Sequence, residues 1–164
     1  MSYDLQVLAE NRDALPLEEV VAAFEQGLGD DLVAVVLFGS RARGEADKAR
    51  DWDLLVIARH LPERTFKRHR WLKGMLPVAW LGQTAILAKT PEEFESYLTS
   101  LFFDIALDGI ILYDSDGYIA ERLASLRRLI EEQGLRRERV QRDLVWRWQR
   151  FPGFGWSLEW EAAQ

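Results

Sequence analysis

The chain has 164 residues, 48% of them hydrophobic and 29% charged, and a formal net charge of −6. That length predicts one globular domain whose core needs no covalent staple. The absence of cysteine excludes a disulfide scaffold and a thiolate-held zinc or iron–sulfur centre, and two histidines, His60 and His69, are too few for a histidine-rich metal site. The acidic balance argues against general coating of nucleic acid.

The N-terminal stretch carries acids and no apolar core, so it reads neither as a leader nor as a membrane span, and a soluble cytoplasmic protein is expected. Pro16 then opens a helix with Val20, Val21, Phe24 and Leu28 on its apolar stripe, stopped by Gly27 or Gly29. Residues 31–38 form a continuous β-rich apolar run, the pattern of a buried strand, which ends at Gly39. Ser40 caps a short helical turn, residues 45–50 are a charged loop, and residues 51–58 are a second strand.

A helix over 62–76 carries a basic face of Arg64, Lys67, Arg68, Arg70 and Lys73. Such faces are usually solvated, the alternative being a polyanionic acceptor. A third strand lies within 78–88, with a hairpin around Gly82 as one option. Thr90, Pro91 and two acids start a helix running to about Asp108. Residues 109–113 form a short strand, Asp116 caps a helix to about Gln133, and a further Arg-rich helix covers 136–150. The tail is irregular and aromatic, and four of the seven tryptophans (Trp146, Trp148, Trp156, Trp160) fall late. Aromatics this dense rarely stay in water, so the tail is expected to fold back on the core, the alternative being a partner interface. The element order gives a mixed α/β (α+β) chain: a core over 1–115, with C-terminal helices and the aromatic tail over 116–164 packed on it.

The chemistry is concentrated between the first two strands. Asp51 and Asp53 stand two apart on an extended segment, so both side chains leave the same face. At about 6 Å and an effective dielectric of about 20 they repel by roughly 3 kcal/mol, a penalty that a divalent cation between them reverses. Oxygen ligands of this kind suit Mg²⁺ or Mn²⁺. Gly39 lets backbone approach a bulky ligand, Ser40 offers a hydroxyl at the start of a helical turn, and Arg41 and Arg43 carry charge for polyphosphate oxygens.

Gly39-Ser40, Arg41, Arg43-Gly44, Asp51, Asp53 and the apolar run Leu54-Leu55-Val56 together resemble, in order and spacing, the minimal nucleotidyltransferase family of the polymerase-beta-like superfamily. Residues 90–94 and 111–114 are similar to it more loosely. The resemblance implies a mixed sheet of about four to five strands flanked by helices, with a helical C-terminal extension. It also implies transfer of a nucleoside monophosphate from an NTP, with ATP as the expected one, to a hydroxyl acceptor. Asp51 and Asp53 would be the catalytic metal ligands for Mg²⁺ or Mn²⁺, and Gly39, Ser40, Arg41 and Arg43 would bind the nucleotide. Many members pair with a HEPN-type protein as its antitoxin, so such a partner is implied, a homo-oligomer is open, and nucleic acid is not an expected partner.

Two departures from the pattern stand out. Arg50 replaces the serine that often precedes the first aspartate, which adds a candidate phosphate contact. The superfamily also places a third carboxylate on a neighbouring strand, where this chain offers Gln83, Thr84 and Ala85. Acids elsewhere, Glu92, Glu93 or Asp104, would reach the site only in another register. The alternative to an enzyme is therefore a nucleotide-binding, antitoxin-like partner with weak or no turnover.

Overall fold

The computed structural model describes residues 16–45, 51–150 and 160. Leu17, Val20, Phe24 and Leu28 recur at helical spacing, and all four are buried on one side of helix α1, Leu17–Leu28. A single 3₁₀ turn, Gly29–Asp31, leads into β1, Leu32–Phe38, in which every residue except the last is buried. Such a run belongs to a central strand covered on both faces. A one-turn helix α2, Gly39–Ala42, follows directly, and β2 spans Trp52–Ala58. Next come α3, Thr65–Lys73, a 3₁₀ turn, Val78–Trp80, and β3, Thr84–Lys89. The chain continues with α4, Pro91–Ser96, α5, Ser100–Asp108, β4, Ile110–Asp114, and α6, Tyr118–Glu132.

The four strands form one sheet in the order β3-β2-β1-β4. β1 runs antiparallel to both β2 and β4, while β2 and β3 are parallel. Period-two alternation sends β2 side chains to opposite faces. Trp52, Leu54, Val56 and Ala58 pack with Phe24 of α1 and with Leu72, Leu76 and Trp80. Leu55 and Ile57 pack on the other side, with Phe102, Phe103 and Ile105 of α5 and Leu123 and Leu126 of α6. Helices thus cover both faces of a mixed sheet, as expected from the sequence. No helix of the described residues is long and apolar enough to cross a membrane.

Several local expectations are corrected. The basic helix is shorter than 62–76, and its Arg68 is a buried residue: Nε donates to Pro62 O at 2.8 Å, Nη1 to Ala88 O at 3.2 Å, and the fork meets Glu93 at 2.7 and 2.9 Å. There is no hairpin at Gly82, since residues 78–80 are a 3₁₀ turn feeding a strand parallel to β2. The helix expected over 90–108 breaks between α4 and α5, with Tyr97 and Thr99 extended, and the rings of Phe94 and Phe102 meet at 4.6 Å. The Thr90 capping box is present, with Glu93 closing it. Asp116 does not cap α6: its own φ is 58°, and the Asp114 carboxylate instead accepts from the N–H groups of Ile119 and Ala120, both at 2.9 Å.

The largest correction concerns the Arg-rich helix over 136–150. That segment is a β-hairpin, β5, Leu135–Val140, paired antiparallel with β6, Asp143–Trp148. Gly134 ends α6 at φ 64°, and Gln141 turns the hairpin at φ 57°. Leu135 enters the core, and Trp146 and Trp148 pack against it. Trp160 is also buried there, donating Nε1 to Phe94 O at 2.9 Å, so this part of the tail does fold back. Trp156 and Arg50 lie outside the described residues.

Candidate active site

β1 delivers the chain to the site and β2 takes it away. Their antiparallel register sets Phe38 opposite Asp53, so the residue after Phe38 faces that aspartate. That residue is Gly39, at φ 75°. A Cβ there would stand 2.3 Å from Asp53 Oδ2 and 3.2 Å from its Cγ. Glycine is required twice, by a backbone conformation L residues rarely adopt and by the carboxylate that occupies the space of a side chain. α2 then turns the chain, with Arg43 N–H bonded to Gly39 O at 3.2 Å and Glu45 N–H to Ser40 O at 2.9 Å. Ser40 is half-buried in this turn.

Asp53 projects from the same face of β2 as Leu55 and Ile57, toward the α5 side. Burial pushes its carboxyl above the usual carboxylate range, the neighbouring Asp51 charge adds to the rise, and Arg43 partly opposes it. Asp51 is exposed at the mouth. Two neighbouring carboxylates, one of them partly desolvated and held against a glycine cradle, form an oxygen donor set that fits a hard divalent cation. No group of three or more His, Cys, Asp or Glu side chains that could hold a metal gathers among the described residues.

The arginines divide between the two faces. Arg43 Nη1 lies 3.4 Å from Asp108 Oδ2 and its Nη2 lies 3.4 Å from Glu45 Oε2, while its Nε is buried without a partner. Arg41 instead lays its guanidinium over the Trp52 ring, 4.2 Å from the centroid, on the opposite side of β2 from Asp53. Trp52 in turn meets Trp80 edge-on at 5.7 Å. The structure thus gathers Gly39, Asp53, Asp51 and Arg43, with Arg41 set apart.

The parallel register of β3 places Thr84 beside Trp52 and Ala85 beside Asp53. Thr84 is buried and donates to Trp80 O at 3.0 Å, and Gln83 O accepts from Trp52 N–H at 2.7 Å. The neighbouring strand therefore carries no acid at the level of the aspartates. Acids elsewhere are otherwise engaged: Glu93 with Arg68, and Asp104 with Arg137 at 3.1 Å and with Trp146 Nε1 at 3.0 Å. Glu92 is exposed on α4. The sequence reading missed Glu45 and Asp108 beside Arg43, and Arg137 behind Asp108; Glu45 is only two positions away but reads as part of a charged loop, while Asp108 and Arg137 are distant in the chain and no local pattern marks them.

A strand, a glycine–serine turn and an antiparallel return strand with Asp53 on it and Asp51 just before it make up this arrangement. Residues 17–133 match the nucleotidyltransferase domain family, and the chain belongs to that family. A candidate protein adenylyltransferase of Methanocaldococcus jannaschii is 33% identical over 119 residues, which cover 70% of this chain and 81% of the relative. Among solved structures, a toxin–antitoxin complex with AMP-PNP is similar with a TM-score of 0.51 at 19% identity, over 73% of this chain and 93% of that chain. A mutant of the MntA–HpeT toxin–antitoxin complex is similar with a TM-score of 0.50 at 19% identity, over 73% and 92% of the two chains. At these identities the likeness to the solved structures is one of fold.

Proposed function

We propose that the protein transfers a nucleoside monophosphate, AMP from ATP in the first instance, to a hydroxyl on a partner protein. The observation that carries this reading is the interlock of Gly39 with Asp53, which leaves a Cβ-free cradle against a partly desolvated aspartate. The name of the Methanocaldococcus relative supports a protein acceptor, and the family resemblance adds a HEPN-type protein as the partner.

In this reading the acceptor oxygen bonds to the α-phosphorus, the bond to the bridging α–β oxygen breaks, pyrophosphate leaves, and the hydroxyl proton passes to solvent. Gly39 and Ser40 seat the triphosphate along the α2 turn. Arg43 meets its charge on the α5 side, whereas Arg41, stacked on Trp52, lies on the other face of β2 and takes no part in this reading. Asp51 and Asp53 would hold Mg²⁺ or Mn²⁺. Such an ion, when bound, supplies charge stabilisation to the triphosphate and to the leaving oxygen. The protein contributes position and a fixed electrostatic frame. Pyrophosphate release from ATP with candidate partner proteins, compared between wild type and Asp53→Asn, tests the proposal. Release that persists in the variant contradicts it.

A second reading is favoured by one observation, Ala85 beside Asp53 where the superfamily pattern has a carboxylate. With no acid on β3 to draw the proton from the acceptor, the chain would bind nucleotide and act as an antitoxin-like partner with little or no turnover. Mg²⁺-dependent ATP binding with no pyrophosphate release against any partner is its signature.

A further inference from the structure

The β5–β6 hairpin lies beyond residues 17–133, the part of the chain that matches the family. Its arginines nevertheless reach the site. Arg137 grips Asp108 with both ends of its fork, Nη1 to Oδ2 at 2.6 Å and Nη2 to Oδ1 at 2.7 Å, and its Nη1 also donates to Asp104 at 3.1 Å. The oxygen of Asp108 taken by Arg137 Nη1 is the one that faces Arg43, at 3.4 Å. On the other side, Arg139 pairs with Glu45 Oε1, and Oε2 of that carboxylate faces Arg43 at 3.4 Å. Arg43 therefore stands between two carboxylates, each already bound by a hairpin arginine.

The hairpin is anchored by more than charge. Trp146 of β6 donates Nε1 to Asp104 at 3.0 Å, and its ring packs on Phe103 at 5.5 Å. Arg137 sits under that ring, 5.9 Å from the centroid. The distances rank the contacts. Asp108 is held at 2.6 and 2.7 Å by Arg137 but only at 3.4 Å by Arg43. An acid already satisfied by a bidentate partner holds a second cation loosely. The Arg43 guanidinium is thus placed without being consumed.

We propose that the hairpin completes the nucleotide site, with Arg137 and Arg139 as positioning residues that set, through Asp108 and Glu45, where Arg43 meets a polyphosphate. Removing Arg137 frees Asp108 to draw Arg43 into a tight pair, and that pair competes with phosphate. The inference rests on the reading of Arg43 as a phosphate contact.

Calorimetric titration of the full chain with ATP and with AMP, both with Mg²⁺, tests it in wild type, Arg137→Gln and Arg139→Gln. Arg137→Gln is expected to weaken ATP binding about tenfold and AMP binding much less, so the ATP-to-AMP affinity ratio falls. Arg139→Gln, at a more exposed position, shifts that ratio the same way by a smaller factor. Equal ATP affinity in wild type and Arg137→Gln overturns the proposal. So does an equal loss for ATP and AMP, which marks a role in stability alone. Should Arg137→Gln fail to fold, Arg139→Gln decides, and an unchanged ratio there overturns the proposal. Failure of the wild type itself to bind ATP would instead remove the underlying reading of the site.

Discussion

Gly39 and Asp53 occupy one another's space: a Cβ on the glycine would stand 2.3 Å from the aspartate Oδ2. Gly44 has the same φ of 75°, yet nothing lies within 4 Å of the Cβ it lacks. The pair separates backbone strain from site geometry. Both Gly39→Ala and Gly44→Ala are expected to cost about 1–2 kcal/mol from the left-handed conformation alone. Only Gly39→Ala should also displace Asp53 and abolish Mg²⁺-dependent ATP binding. Thermal unfolding together with nucleotide titration of both variants measures the two effects separately.

The raised Asp53 carboxyl has a signed consequence for stability. Its proton is held more tightly in the folded state than in the unfolded one, chiefly through burial and then through Asp51. Stability from this group is therefore full below the ordinary carboxylate range and is lost as pH rises through the raised folded value. In metal-free buffer near neutral pH, Asp53→Asn should unfold at a higher temperature than wild type, and the gap should close in acid. With Mg²⁺ the order should reverse, because the ion stabilises only the wild type. Melting curves across pH, with and without Mg²⁺, check both halves.

Glu93 moves the other way. Hydrogen bonds from Arg68 hold its carboxyl below the usual range, assisted by the Thr90 N–H. The stability it contributes is present above the unfolded value and is lost as pH falls through the folded one. Glu93→Gln should cost about 1–2 kcal/mol near neutral pH by leaving the buried Arg68 fork without its charge partner. The difference between variant and wild type should shrink in acid. Denaturant melts at several pH values check this.

Trp160 joins the tail to the core, with its ring 5.3 Å from that of Phe94. Trp160→Ala should cost about 3 kcal/mol, within the usual range for removing a large buried aromatic. Trp160→Phe, which loses only the hydrogen bond to Phe94 O and part of the ring, should cost less. A chemical denaturation series across the two variants tests whether this contact is structural or is spared for a partner.

The strand–turn–strand core was legible in the sequence because its signals are local. An apolar run, Gly39-Ser40, and two aspartates at the start of a second apolar run mark both strands and the turn between them. The hairpin over residues 135–148 was not legible. Its Arg, Leu and Glu residues favour helix in isolation. Its turn falls at Gln141, with φ 57° and no glycine to announce it, and its ion partners Asp104 and Asp108 lie about thirty positions away. Arg68 is a similar case: helical spacing put it on a basic face, but only the fold brings Glu93 and Ala88 O to it. The surroundings of Arg43 were hidden for the same reason, since Asp108 is 65 positions from it in the chain.

The most direct measurement is calorimetric titration of ATP into the full chain with Mg²⁺ and with EDTA, repeated on the Asp51→Asn/Asp53→Asn double variant. The predicted result is binding that requires Mg²⁺ in the wild type and is lost in the variant. Binding of equal strength with EDTA, or undiminished in the variant, would contradict the assignment of these two aspartates as the metal–nucleotide centre.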